Sequence, residues 1–117
     1  MHVFLSGPII ANNVEFKIAL EKSAYVTYNP DNTGLLNVLQ NKGVDILVFE
    51  ALNHKQSNLN ILLNIKKLYP EIKIILITND REFTALAFNL GVKDVFKSPV
   101  NFGLLNERID NLLKQSI

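Results

Sequence analysis

A carboxylate stands at the end of an apolar segment near the middle of the chain, where Glu50 follows the run Ile46–Phe49. A carboxylate can hold a cation, accept a phosphoryl group or provide a fixed negative charge. Strands commonly end on polar residues where the chain meets water, so spacing alone leaves a functional and a purely structural explanation equally open. Small or polar residues also end four further apolar segments: Ser6 with Gly7, Asn29, Thr78, and Lys97 with Ser98.

Five short segments rich in β-branched and aromatic residues are predicted to be strands. They do not alternate strictly between apolar and polar residues, which is typical of strands that helices cover on both faces of a parallel sheet. The segments are HVFLS (2–6), YVTYN (25–29), DILVFE (45–50), KIILIT (73–78) and DVFKS (94–98).

Apolar residues recur at helical spacing between these strands. The helical stripes are Ile10, Val14 and Ile18; Leu35, Val38 and Leu39; Ile61, Leu62, Ile65, Leu68 and Tyr69; Phe83, Ala85, Leu86 and Ala87; and Leu105, Ile109 and Leu112. The second helix is predicted to begin near Asp31, and capping residues are predicted for the others. These are Ser57 or Asn58, Asp80 and Asn101 at helix starts, and Gly43 and Gly91 at helix ends.

The pattern is therefore (βα)5, a single domain over residues 1–117 with a doubly wound parallel sheet. In open sheets of this kind, the functional crevice lies at the carboxyl ends of the strands. Glu50 is predicted to lie at that edge.

Composition excludes several classes of function. Twelve Lys and Arg residues stand against eleven Asp and Glu, a net charge of +1, so direct nucleic-acid or membrane binding through bulk charge is not expected. The absence of cysteine removes disulfides, thiolate metal sites and cysteine nucleophiles. No apolar run reaches the roughly 18 residues of a membrane span, and the first residues lack the basic start of a secretion signal, so a cytoplasmic location is expected.

Two stretches carry a resemblance to a known family. They are VDILVFEALNHKQSNLNILLNIKKLYPEIKIILITND and, after it, LGVKDVFKSPVNFGLLNERIDNLL. They resemble the response-regulator receiver domain, the CheY-like superfamily of two-component signalling. The matching features are the apolar strand that ends in a carboxylate, the LIT ending of the fourth strand, Gly91 and Asp94 before the fifth strand, and the turn at Pro99. The resemblance implies a five-stranded sheet in the order 2-1-3-4-5.

The resemblance also assigns roles to individual positions. In the family, two acidic residues after the first strand and an aspartate that ends the third hold Mg²⁺, and that aspartate accepts the phosphoryl group. A hydroxyl and a lysine bind the phosphoryl oxygens, and the bond between the lysine and the following proline is cis. These roles fall on Ser6 and Gly7, Glu50, Thr78, and Ser98, which Pro99 follows, while Lys97 stands one residue too early.

These departures predict that the family's phosphotransfer chemistry is lost. Neither Ser6 nor Gly7 can supply an anionic ligand, so Mg²⁺ binding is not expected. Glu50 is longer than aspartate by one methylene and resembles a built-in phosphate mimic. Lys97 would need a bulge to reach it, because successive strand side chains point to opposite faces. Asp31 and Asp80 are explained by capping, and His54 with Glu50 would make only two ligands of a metal site.

The sequence thus predicts a degenerate receiver without enzymatic turnover, a phosphorylation-independent protein-interaction module in signal transduction or transcriptional control. Two alternatives stay open: a receiver that accepts phosphate on Glu50 with Mg²⁺ and Lys97, and a small α/β enzyme or ligand-binding protein. The protein partner and any effector domain beyond Ile117 are left open. A homodimer through the fourth helix, fifth strand and fifth helix is a further hypothesis, involving Phe88, Lys93, Asp94, Glu107, Arg108 and Asp110.

Overall fold

The computed structural model describes residues 1–52 and 56–115, without the side chains of residues 41 and 42. Five parallel strands form one sheet in the order β2-β1-β3-β4-β5, which confirms the predicted fold class. The strands are β1 (His2–Ser6), β2 (Tyr25–Asn29), β3 (Ile46–Glu50), β4 (Lys73–Ile77) and β5 (Asp94–Phe96). The prediction of a fifth strand reaching residue 98 is wrong, because β5 ends at Phe96 and the chain turns into the loop that contains Lys97 and Ser98.

Five helices connect and follow the strands. They are α1 (Val14–Glu21), α2 (Leu35–Lys42), α3 (Gln56–Leu68), α4 (Arg81–Asn89) and α5 (Phe102–Lys114). The predicted caps Asp80 and Asn101 are confirmed, since each side chain accepts an N–H from the first turn of its helix. Ser57 and Asn58 lie inside α3, so the prediction that one of them caps it is wrong.

Helix α2 begins at Leu35, not near Asp31 as predicted. Asp31 Oδ1 accepts the N–H of Thr33 at 2.8 Å, which holds this segment in a turn ahead of the helix. Gly43 ends α2 in a left-handed conformation, as predicted.

The sheet separates two apolar layers, because successive side chains on each strand point to opposite faces. On one face, Phe4, Leu47, Phe49, Ile74 and Leu76 pack with buried residues of α2, α3 and α4. On the other, Val3, Leu5, Ile46, Val48, Ile75 and Ile77 pack with α1 and α5. Both faces are covered, so the polar strand ends meet only the loops at the carboxyl edge of the sheet, where Ser6, Glu50 and Thr78 are buried.

The apolar stripe predicted for the first helix is wrong. Val14 and Ile18 are 61% and 56% exposed, whereas Phe16 and Leu20 of the same helix are buried. Ile10 is buried but lies in the turn before the helix. Its burial therefore says nothing about which face of α1 packs on the sheet. Elsewhere the stripes place their central residues correctly, but Leu68, Ala85 and Leu86 are exposed.

Within the described ranges, no helix has both the length and the apolar character needed to cross a bilayer.

Candidate functional site

Glu50 is buried at the carboxyl end of β3, with 3% of its surface exposed. Its Oε1 atom accepts two backbone hydrogen bonds, from the N–H groups of Ile9 and Ile10, each at 3.0 Å. Both donors belong to the turn between β1 and α1. The carboxylate is thus held by the backbone of a loop, through bonds of the charge-assisted kind.

The geometry of that turn explains why the donors are available. The N–H of Ala11 bonds the carbonyl of Gly7 at 3.1 Å, so residues 7–11 close a single turn of helical type. The first N–H groups of such a turn have no partner within it. Pro8 has no N–H, which leaves the N–H groups of Ile9 and Ile10 for Glu50.

Gly7 lies directly against the Glu50 side chain. A Cβ atom on Gly7 would lie 2.4 Å from Glu50 Cβ and 2.7 Å from Glu50 Oε1, both too close for non-bonded atoms. Gly7 also has a φ of 139°, in the region that favours glycine. Position 7 therefore holds a glycine while Glu50 is buried beside it. An acidic side chain at position 7 would force the loop or the Glu50 side chain to move.

The second carboxylate oxygen of Glu50 is differently placed. Oε2 is buried and has no hydrogen-bond partner among the described residues. The loop therefore holds the carboxylate through one oxygen only.

Two hydrogen bonds link Ser6 through Asn32 to the backbone of Glu50. Ser6 is fully buried, and its hydroxyl donates to Asn32 Oδ1 at 2.5 Å. The side-chain amide of Asn32 in turn donates to the backbone carbonyl of Glu50 at 3.0 Å. Sequence reasoning missed Asn32, which lies in the loop between β2 and α2. The predicted Asn29 contributes its backbone carbonyl, which accepts the Gly7 N–H at 3.0 Å.

Thr78 lies at the neighbouring strand end and is 1% exposed. Its hydroxyl accepts the N–H of Asp80 at 3.2 Å, and Asp80 Oδ1 accepts the N–H of Phe83 at 3.0 Å. The Thr78 hydroxyl therefore belongs to the turn that starts α4. Within the described ranges, no hydrogen bond joins it to Glu50.

Lys97 is not brought to the site. It is exposed in the loop after β5 and forms no ion pair with Glu50 in the part of the chain that the structure covers. Ser98 lies in the same loop, where its N–H donates to the side-chain oxygen of Asn79 at 2.9 Å. The Ser98–Pro99 bond, whose isomer the sequence left open, is cis.

The residues present do not fit a magnesium ion. Mg²⁺ requires a near-octahedral set of oxygen ligands, usually including carboxylates. Here Glu50 Oε1 is bound by two N–H groups, and the neighbouring residues Ser6 and Gly7 carry no carboxylate. Residues 1–52 and 56–115 contain no group of three or more His, Cys, Asp or Glu side chains that could hold a metal. His54 lies outside these ranges.

The surface suggested for dimerisation is only partly continuous. Phe88 is 51% exposed on α4, and Arg108 Nε bonds Asp94 Oδ2 at 3.2 Å, while Arg108 Nη2 donates to the Lys93 carbonyl at 3.3 Å. Leu104, which the sequence reading did not include, is 56% exposed on α5. Asp110 lies apart, because it lines a cavity of about 390 Å³ with Met1, Ser23, Leu113 and Lys114.

The strand order and the alternation of strands and helices are those of the response-regulator receiver fold. The structure is similar to a CheY-like receiver domain protein from Methanospirillum hungatei JF-1, with a TM-score of 0.82 and 22% identity over 98% of this chain and 95% of that one. It is similar to an orphan response regulator of H. pylori, with a TM-score of 0.82 and 18% identity over 97% and 96% of the two chains.

A protein from Burkholderia pseudomallei described as related to pilus assembly shares the same fold. Its TM-score is 0.77 and its identity 16%, over 98% of this chain and 90% of that one. No protein-family model matches the sequence, and no curated protein matches it at a significant level. At these identities the similarity establishes the fold.

Proposed function

We propose that this protein is a receiver-type interaction module that works without phosphorylation, in signal transduction or transcriptional control. The observation that carries the proposal is the pair of N–H bonds to Glu50 Oε1. Oε1 engaged in this way is a poor nucleophile, because its lone pairs are committed to the loop, and Oε2 is buried where a phosphodonor in solvent does not reach it. In this proposal Glu50 is a permanent anion that holds the loop in one conformation.

Electrostatics supports the same proposal. A phosphodonor is anionic, and its approach to a carboxylate is opposed by about 4 kcal/mol per pair of unit charges at 4 Å and an effective dielectric constant of about 20. A bound cation or a nearby lysine would offset this repulsion. The donor set is unsuited to Mg²⁺, and Lys97 is exposed to solvent. We therefore infer that no cofactor takes part and that the protein has no enzymatic turnover.

The proposed action is binding to a protein partner in the cytoplasm. The similarity to structures described as response regulators favours a signalling role over chemistry on a small molecule. An effector domain attached beyond residue 117 would make this module the regulatory part of a larger regulator.

Treatment with acetyl phosphate and Mg²⁺, followed by intact-mass measurement, tests the proposal. We expect no stoichiometric gain of a phosphoryl group, while a receiver domain that carries aspartate at the position of Glu50 is phosphorylated in parallel. A gain of one phosphoryl group on this protein that disappears in Glu50→Ala would refute the proposal and establish the phosphoaccepting alternative.

We also propose a homodimer through α4, β5 and α5, since Phe88 and Leu104 expose large apolar side chains beside the Asp94–Arg108 pair.

Phe88→Asp is expected to convert the dimer to a monomer with less than about 0.5 kcal/mol change in stability, because the side chain is exposed. Sedimentation velocity at high concentration provides the measurement. Val14→Asp, on the exposed face of α1, is the matched control. A wild-type protein that stays monomeric would exclude this dimer.

A further inference from the structure

The turn between β1 and α1 directs two backbone N–H groups at one point. The nitrogen atoms of Ile9 and Ile10 each lie 3.0 Å from Glu50 Oε1. Converging N–H groups form a small region of positive potential, because their partial charges add, and such regions bind anions. No ion pair joins Glu50 to a lysine or arginine in the described ranges. The backbone alone therefore supplies the attraction.

Glu50 is enclosed where it meets this turn, although Pro8 and Ile9 of the turn are themselves exposed. Only 3% of the Glu50 surface is exposed, and Oε2 is buried with no hydrogen-bond partner among the described residues. A carboxylate loses much of its hydration free energy on burial, so it stays in this position only if the donors compensate. A cation at the same point would face the positive ends of two N–H dipoles.

We propose that residues 7–11 form an oxyanion-binding cradle and that Glu50 is its built-in occupant. The ligand class is a small monocarboxylate, bound through one oxygen. Replacing Glu50 by alanine removes a methylene, the carboxyl carbon and both oxygens, which together have the shape of acetate. The cradle therefore favours an anion, whereas a magnesium site favours a cation. This inference goes beyond the proposed function, since the cradle binds a carboxylate whether or not the protein accepts phosphate.

Acetate rescue of Glu50→Ala tests the cradle. The variant is expected to melt roughly 5–10 °C below the wild type, because the N–H groups of Ile9 and Ile10, the second of them buried, lose their partner. Acetate at about ten times its dissociation constant is expected to restore roughly half of that loss. In NMR spectra, the amide signals of Ile9 and Ile10 should shift and saturate with acetate in the variant and stay unchanged in the wild type.

Three controls make the result specific. Sodium chloride at equal ionic strength should restore nothing. Leu62→Ala opens a cavity at a fully buried apolar position that lacks these donors, so acetate should not raise its melting temperature. Phosphate is larger than the vacated space and is expected to give no rescue.

Several results would overturn the cradle. They are no response of Glu50→Ala to acetate, an equal response of Leu62→Ala, or a stronger response to Mg²⁺ or phosphate than to acetate. If Glu50→Ala does not fold in plain buffer, the folded fraction is measured against acetate concentration. An increase supports the cradle, and a flat response overturns it. None of these outcomes changes the result expected from the phosphodonor experiment.

Discussion

Gly7→Ala is expected to lower the free energy of unfolding by about 3–5 kcal/mol. The added Cβ would meet Glu50 Cβ at 2.4 Å and Glu50 Oε1 at 2.7 Å, so the loop or the glutamate must move and the N–H bonds to Oε1 must lengthen. Overpacking of a filled site costs about 1–3 kcal/mol, and a side chain at positive φ adds about 1–3 kcal/mol. Urea denaturation followed by circular dichroism measures the loss.

Gly34→Ala separates the two contributions to this loss. Gly34 has a φ of 73°, but a Cβ there would meet no atom within 4 Å. Gly34→Ala is therefore expected to lower the free energy of unfolding only by the cost of a side chain at positive φ, about 1 kcal/mol. Equal losses in the two variants would mean that Gly7 and Glu50 are not packed tightly. Gly7→Asp, which places an acidic residue after β1, is expected to destabilise at least as much as Gly7→Ala and to gain no affinity for Mg²⁺.

The sheet could be predicted because its three central strands, β1, β3 and β4, are buried on both faces. Continuous apolar runs such as Ile46–Phe49 and Ile74–Ile77 have few other folded environments, and their spacing along the chain is that of βα units. The helix caps Asp80 and Asn101 were predictable for a local reason, since a capping side chain bonds the backbone only three residues away.

The helix faces were less predictable, because they depend on where each helix begins. Ile10 was assigned to α1, yet the Asn13 cap starts that helix three residues later and sets which side packs on the sheet. The carboxyl end of β5 was predicted wrongly for a related reason. As an edge strand with one neighbour, it ends where hydrogen bonding to β4 ends, and residue types alone do not mark that point.

The candidate site was predicted in its position but not in its contacts. Glu50, Ser6 and Gly7 do lie together at the strand ends, as parallel topology requires. The groups that bind Glu50 are backbone N–H groups, which every residue except proline carries and which leave no signal in residue type. The role of Asn32 was also not predictable from the sequence. The loop that carries Asn32 comes close to β3 only because the strands are ordered β2-β1-β3.

Asn32→Asp, a change of one amide nitrogen for oxygen, is expected to lower the free energy of unfolding by about 2–4 kcal/mol. The Ser6 hydroxyl can still donate to the side chain, but the amide donor that lies 3.0 Å from the Glu50 carbonyl is lost. A carboxylate oxygen would face that carbonyl oxygen and leave it without its bond, and an unpartnered buried polar group costs about 1–3 kcal/mol. The new negative charge also lies close to Glu50.

The matched control for this loss is Asn12→Asp. The amide of Asn12 donates to the carbonyl of Pro8 at 2.7 Å, the same kind of bond as that of Asn32, but at an exposed position where water replaces it. We expect Asn12→Asp to change stability by less than about 0.5 kcal/mol. Chemical denaturation of both variants gives the comparison. Similar small losses in both variants would show that the Asn32 bond is dispensable and that Glu50 is held by the Ile9 and Ile10 N–H groups alone. A large loss confined to Asn32→Asp would make the β2–α2 loop part of the same site.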